Sequence, residues 1–274
     1  MTFLHLSDLH FDIADPLVLM HAKWEKMIEC IMEKKIKIDA LVLSGDIVFY
    51  RNKDENFTCA SWFLDLLILK LGIARENVFL CAGNHEIELL NGCPGEVCEQ
   101  LTRMSKQQKE TYTASYRRFY EHICGRPYPE ITLCEARETD EVNLLVIDAF
   151  ASADCMRRCC FVPMCEIVSD EMHRLFSVQG RTNMLIQHAQ PQYVCSGCIN
   201  SIPYNQYRAI TLCGHKNFNL RTGFFPAGSS ASLISGVSDG FVEDRLTYGI
   251  YRATKDGVWS YALNYDGGCW NLEI

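Results

Sequence analysis

Aspartate, asparagine and histidine recur directly after short apolar runs of the chain. These are residue types that bind metal ions or move protons. One such residue alone is more often a turn former, a helix cap or a core histidine. Five strand ends that each lead to such residues are hard to ascribe to turn chemistry. The residues placed in this way are Asp8 and His10 after "TFLHL", Asp46 after "ALVLS", Asn84, His85 and Glu86 after "VFLCA", His188 after "NMLIQ", and His215 after "ITLC".

The ligand set predicts more than one metal ion. Carboxylate and amide oxygens together with imidazole nitrogens suit Mn²⁺, iron or Zn²⁺. There are too many such groups for one ion that keeps open positions. They suit two ions bridged by a carboxylate, roughly 3.5–4 Å apart, as in phosphate-ester hydrolysis. Gly45, Gly83 and Gly214 would let the backbone turn tightly beside such ions.

The elements that position these residues alternate between strands and helices. Runs of four to six apolar residues bounded by turns predict strands buried on both faces. Helical spacing of apolar residues predicts helices over 16–35 and 57–72, and further helices over 99–123 and 166–177. The last fifty residues are aromatic and rich in strand formers. We therefore expect an α/β domain with a mixed sheet or two packed sheets, whose site lies at the carboxyl ends of the strands.

Composition restricts the function classes. The 274 residues show no repeat and no glycine/serine linker, so we expect a single domain over 1–274. A formal net charge of −8 disfavours a module that binds duplex nucleic acid tightly. A local basic surface is still compatible with this overall charge. The first residues lack the basic segment of a signal peptide, and no apolar run is long enough to span a membrane. We expect a soluble, cytoplasmic protein.

The 15 cysteines are expected to be reduced thiols in a chain without a secretory signal. Several lie inside apolar runs, where a thiol acts as a small hydrophobe. A second set, outside such runs, leaves open a structural zinc or a redox-sensitive regulatory site. That set comprises Cys93, Cys98, Cys155, Cys159, Cys160, Cys165, Cys195 and Cys198.

The order of the motifs resembles the calcineurin-like metallophosphoesterase superfamily. The family pattern D-x-H, G-D, G-N-H-[DE], H and G-H-x-H is matched in order by "DLH", "GD", "GNHE", a lone histidine and "GH". This resemblance runs from Asp8 to His215, over most of the chain. It implies a two-sheet mixed β sandwich flanked by helices, with four αββα layers and a dimetal site at one edge.

The resemblance also implies a role for each matched residue. Asp8 and His10 would hold the first metal, and Asp46 would bridge the two. Asn84, His188 and His215 would complete the second metal. His85 would contact the phosphate and protonate the leaving oxygen, and Glu86 would orient His85 through a hydrogen bond. The residues that carry these roles as metal ligands are Asp8, His10, Asp46, Asn84, His188 and His215.

One position departs from the family pattern. The last histidine of G-H-x-H, which completes the first metal, falls on Asn217. An amide oxygen can ligate Mn²⁺, but more weakly than imidazole ligates zinc or iron. We therefore expect two divalent ions, with manganese as the leading candidate and iron, zinc, nickel or cobalt as alternatives. The first site is expected to be weak or completed by water.

The leading hypothesis is a metal-dependent phosphodiesterase acting on a nucleotide-type phosphodiester. A metal-dependent DNA or RNA nuclease module is the alternative, in which an additional domain or a partner chain supplies substrate recognition. A third reading takes Asn217 as the sign of a degenerate module that binds a metal or a partner without catalysis. Activity towards bis(p-nitrophenyl) phosphate in the presence of Mn²⁺ separates the third reading from the first two.

Overall fold

The computed structural model shows the expected alternation of strands and helices. It covers residues 1–12, 17–49, 53–83, 85–86, 106–129, 134–148, 165–188, 204–214, 222–229, 231–234, 237–238, 245–266 and 268–273. The helices are α1 (Leu17–Glu33), α2 (Lys53–Leu71), α3 (Lys106–Cys124), α4 (Cys165–Phe176) and the short α5 (Tyr204–Tyr207). The strands are β1 (Thr2–Leu6), β2 (Ala40–Ser44), β3 (Val78–Cys81), β4 (Cys134–Glu138), β5 (Val142–Ile147), β6 (Thr182–Ile186), β7 (Ile210–Cys213), β8 (Gly223–Pro226), β9 (Ala231–Ile234), β10 (Val237–Ser238), β11 (Arg245–Thr254), β12 (Gly257–Asp266) and β13 (Cys269–Glu273).

The strands form two mixed sheets. The first has the order β13-β12-β11-β1-β2-β3, with β10 paired to β11 and β8 paired to β12. Its strands β1, β2 and β3 run parallel, and β11 joins β1 in the antiparallel direction. The second sheet has the order β4-β5-β6-β7-β9, in which only the pair of β4 and β5 is antiparallel among the described strands.

The two sheets pack face to face and helices cover both outer faces. The core between the sheets contains Phe3 and Val42 of the first sheet and Leu144 and Ile186 of the second. Helices α1, α2 and α3 cover the outer face of the first sheet, and α4 covers the second. All five residues of β2 are buried, because this strand lies between a helical layer and the other sheet. The expected αββα sandwich is confirmed.

The outer helices bury one stripe each. In α1, Trp24, Met27, Ile28 and Ile31 recur at intervals of three and four and are at most 4% exposed. In the sequence, α2 is followed by Gly72, which has a φ of 66° and ends the helix in the left-handed conformation. In the part of the chain that the structure describes, no helix is both long enough and apolar enough to cross a membrane.

The described cysteines are free thiols. Cys81, Cys124, Cys134 and Cys213 are buried, as expected for small apolar side chains. Of the cysteines considered for a zinc or redox site, Cys165 is the first residue of α4, and the structure does not describe its side chain. The others in that set lie outside the described residues.

Candidate metal centre

The loops after β1 and β2 run side by side and carry three of the predicted ligands. The backbone N–H of Asp8 donates to the Gly45 carbonyl at 3.0 Å, and that of His10 donates to the Asp46 carbonyl at 3.0 Å. Asp8, His10 and Asp46 have φ angles of 52°, 47° and 52°. These are three of the five non-glycine residues with positive φ among the described residues. Such conformations are unfavourable and concentrate at functional sites.

His188 reaches this group from the second sheet. Its Nδ1 lies 2.7 Å from the Ser44 carbonyl oxygen, which can only accept, so Nδ1 carries the hydrogen. Its Nε2 lies 3.3 Å from Oδ2 of Asp46, and the ring is fully buried. The contact to Ser44 therefore fixes Nδ1 as the donor to the backbone and leaves Nε2 as the ring nitrogen that faces Asp46 and could bind a metal.

Asp46 is shared by two groups of metal-binding side chains. One group consists of Asp8, Asp46 and His188, and the other of His10, Asp46 and His85. Within each group the ligand atoms lie within 4.8 Å of one another. A carboxylate common to two such groups has the position of a bridging ligand.

His85 lies close to His10 and Asp46. Its ring centroid is 4.6 Å from that of His10, and its Nε2 is 4.0 Å from Oδ2 of Asp46. Its backbone N–H donates to Oδ1 of Asp46 at 2.8 Å. The predicted role of His85 as an acid that does not bind metal stays a prediction.

The charges of the site depend on Asp46. Burial alone would raise the pKa of its carboxyl group, but His188, His85 and His10 hold that pKa well below its usual value. Burial lowers the pKa of His188, yet the charge of Asp46 and the hydrogen bond to it raise that pKa to about 9. Burial lowers the pKa of His10 to about 4, so its ring is neutral at pH 7.

Two glycines let the backbone approach the ligands. A Cβ at Gly83 would lie 2.2 Å from Oδ1 of Asp46. A Cβ at Gly214 would lie 2.2 Å from Oδ2 of Asp8 and closer still to Oγ of Ser7. Any side chain at these positions would displace a predicted ligand.

Glu86 ties together the two loops that carry Asp46 and His85. One carboxylate oxygen accepts from the backbone N–H groups of Gly83 (2.6 Å) and Asp46 (2.8 Å). The other accepts from those of Ile47 (2.6 Å) and Val48 (3.1 Å). Burial and the neighbouring Asp46 charge raise the pKa of Glu86 to about 7. The predicted hydrogen bond by which Glu86 orients His85 stays a prediction.

Three contributing residues were not predicted from the sequence. Oγ of Ser7 donates to Oδ2 of Asp8 at 2.6 Å. Asp148 is 3% exposed and accepts from the Tyr116 hydroxyl at 2.8 Å, immediately after β5. Its place directly after an apolar strand is the signal that could have identified it. Phe49 is half-buried, and its ring centroid is 5.6 Å from that of His85.

The remaining predicted residues lie outside the description. Asn84, His215 and Asn217 are not among the described residues, so their roles stay predictions. Among the other histidines, His5 is fully buried in the core, where its Nε2 lies 2.7 Å from Oγ of Ser44.

The described donors fit a divalent metal. Nδ1 of His10 is buried and has no hydrogen-bond partner within the described residues. Asp46 is 3% exposed and is common to both groups of metal-binding side chains, and a buried carboxylate needs a compensating charge or hydrogen bonds. Oxygen and imidazole donors together suit Mn²⁺, iron or Zn²⁺.

Comparisons with known proteins agree with this geometry. The sequence profile described as calcineurin-like phosphoesterase matches residues 1–216. A metallophosphoesterase-like protein of Bacillus subtilis, YydB, is 26% identical over 165 residues, which are 56% of this chain and 34% of that protein. The matched part thus spans about a third of that relative's length.

A solved phosphatase structure shares the fold, and a second solved structure matches with a lower TM-score. A purple acid phosphatase from yellow lupin, Lupinus luteus, superposes with a TM-score of 0.53 at 8% identity, over 99% of this chain and 52% of the phosphatase. A metallophosphoesterase from Sphaerobacter thermophilus gives a TM-score of 0.39 at 12% identity, over 97% of this chain and 89% of that one. The profile match covers more than half of the chain and contains the strand ends that meet at Asp46. The chain therefore belongs to the calcineurin-like phosphoesterase family.

Proposed function

We propose that the protein is a metal-dependent phosphodiesterase that hydrolyses a nucleotide-type phosphodiester. The observation that supports this most is the position of Asp46, whose carboxylate belongs to both groups of metal-binding side chains. Two divalent ions held there, with manganese as the leading candidate, would clamp the phosphoryl oxygens and lower the pKa of an attacking water.

Each residue has a distinct part in this proposal. Asp46 bridges, His10 lies on one side beside His85, and Asp8 and His188 lie on the other side, although the family pattern pairs Asp8 with His10. Nε2 of His188 lies 3.3 Å from Oδ2 of Asp46. Asn84, His215 and Asn217 are proposed as further ligands from the motif order alone. Ser7 fixes Asp8 through its hydroxyl, which is the kind of outer contact that keeps a ligand in place.

His85 is the proposed general acid. The oxygen of a water molecule bonds to phosphorus while the bond from phosphorus to the ester oxygen breaks on the opposite side. His85 delivers a proton to the departing oxygen, and a proton from the attacking water restores it. Nε2 of the half-buried His85 lies 4.0 Å from Oδ2 of Asp46, so the ring would be within reach of a phosphate held by metal ions at that carboxylate.

The experiment measures hydrolysis of bis(p-nitrophenyl) phosphate by the wild type and by Asp46→Asn, with Mn²⁺ present. We expect turnover in the wild type and its loss, together with loss of bound metal, in Asp46→Asn. Asp39→Asn is the matched control, because Asp39 precedes β2 at the opposite end of the strand and pairs with Lys37. It should keep metal and turnover.

The same assay has an outcome that overturns the proposal. Folded wild-type protein that hydrolyses no phosphodiester with Mn²⁺, Fe²⁺, Co²⁺, Ni²⁺ or Zn²⁺ would support the non-catalytic reading. Cleavage of single-stranded or duplex DNA with no cleavage of small diesters would support the nuclease alternative.

A further inference from the structure

Phe49 is an aromatic side chain next to His10 and His85, the two histidines that share a group with Asp46. Its ring centroid is 5.6 Å from that of His85, at an interplanar angle of 36°, and 6.4 Å from that of His10. Its backbone N–H donates to the Phe11 carbonyl at 2.9 Å, and its carbonyl accepts from Nδ2 of the buried Asn56 at 3.2 Å. Hydrogen bonds on both sides thus hold the residue in place.

Phe49 is half-buried, so part of its surface remains accessible, and its ring lies next to that of His85. A phenyl side chain offers an apolar face and no hydrogen-bonding group. A phosphate or another anionic group gains nothing from such a face, whereas a nucleobase stacks on it. The surface therefore favours a substrate with an aromatic base over one with a purely polar alcohol.

We propose that Phe49 receives the base of the leaving nucleoside, which makes it a substrate-binding residue that sets the substrate class. This inference rests on the proposed function, in which His85 protonates the departing oxygen. Because Phe49 lies against His85 and further from His10, its ring is on the leaving-group side of the phosphorus. The sugar of the leaving nucleoside passes His85 and its base lies on the ring.

A stacking contact without hydrogen bonds has a specific consequence. Every base presents a π face, so stacking on an aromatic side chain tolerates all four bases. We therefore expect kcat/KM to be higher for a substrate with a base on the leaving side than for one without a base. We expect kcat/KM to differ little from one base to another.

The experiment compares dinucleotides that differ only in one base. Thymidylyl-thymidine is compared with two analogues that carry an abasic deoxyribose, one on the leaving side and one on the retained side. The leaving oxygen has the same chemistry in all three, so the ratio of kcat/KM reads the contribution of the base. Products are separated by liquid chromatography after incubation with Mn²⁺.

We expect the wild type to prefer the base on the leaving side by about tenfold, within the range that base–aromatic stacking produces. Phe49→Leu keeps most of the apolar volume and should reduce this preference to about twofold or less, and Phe49→Ala should do the same. Phe49→Trp should retain it. Phe224→Leu is the control, because Phe224 is an aromatic residue with an accessible ring that lies on β8 beside Trp259. It should leave the preference unchanged.

The failures of the two proposals are distinguishable. A wild type that hydrolyses no phosphodiester overturns the proposed function, and this inference with it. A wild type that hydrolyses bis(p-nitrophenyl) phosphate but shows no preference between the dinucleotide analogues overturns the inference alone. The same holds for a wild type that hydrolyses bis(p-nitrophenyl) phosphate but cleaves no dinucleotide. A preference that Phe49→Leu retains, or one confined to the retained side, also overturns it. Thermal melting of each variant shows whether a loss comes from unfolding.

Discussion

Replacement of Glu86 by glutamine tests how the metal-binding loops are held together. The two oxygens of Glu86 accept four backbone N–H groups, two each, from Gly83 and Asp46 and from Ile47 and Val48. Glutamine has nearly the same shape but only one accepting oxygen. In Glu86→Gln, one pair of N–H groups therefore faces an amide NH₂ group that can only donate.

The size of the effect follows from these contacts. Each buried donor that loses its acceptor costs about 1–3 kcal/mol, so two cost about 2–6 kcal/mol. Loss of the charge relieves the repulsion between Glu86 and Asp46 that raises the pKa of Glu86, which offsets part of this cost. We expect the free energy of unfolding to fall by about 2–4 kcal/mol.

Urea unfolding monitored by tryptophan fluorescence measures this change through the midpoint, provided that the slope with denaturant is unchanged. Glu138→Gln is the matched control. Its carboxylate accepts from Arg174 and Arg181 at the surface, where water screens the charges, so its loss should leave the free energy of unfolding nearly unchanged.

The same variant should also lose function. The Asp46 backbone is no longer held in position, and a ligand displaced by about 1 Å can reduce turnover about a hundredfold. Glu138→Gln should retain turnover. If Glu86→Gln matched Glu138→Gln in both stability and turnover, the four N–H contacts would not hold the site together.

Three further predictions concern single residues. His85→Ala should keep its bound Mn²⁺, measured by mass spectrometry, and lose about 10²–10⁴-fold in turnover; loss of the metal would show that His85 is a ligand instead. Gly83→Ala should lose turnover because its Cβ would lie 2.2 Å from Oδ1 of Asp46, whereas Gly180→Ala, with no atom within 4 Å but a φ of 81°, should lose only stability. Burial lowers the pKa of His5 to about 3, so between that pH and 6.5 the unfolded chain binds one more proton and stability falls as the pH falls. His5→Gln should flatten this dependence by up to about 1.4 kcal/mol per pH unit in urea unfolding, and an unchanged slope would contradict it.

Elements with a strong hydrophobic pattern could be predicted from the sequence. Every residue of β2 is buried, and its sequence is a short run of mostly apolar residues. The buried residues of α1 recur at helical spacing. β4 was not predicted, because its "CEARE" sequence alternates weakly at the edge of the second sheet. Edge strands bury too little surface to impose a clear pattern.

The candidate site was only partly predictable, for a different physical reason. Asp46 and His188 were identified because each follows an apolar strand, but their 3.3 Å contact depends on how two separate sheets pack. The partners of Glu86 are backbone groups, which every residue has, so no residue type signals them. Phe49 carries no polar group and therefore had no chemical signal in the sequence.

The most direct test of the account is anomalous scattering from crystals of the wild-type protein soaked in Mn²⁺. We expect two manganese peaks roughly 3.5–4 Å apart, with the Asp46 carboxylate between them, His10 beside one and His188 beside the other. A single peak, or peaks that do not contact Asp46, would contradict the claim that these strand ends form a bridged dimetal centre.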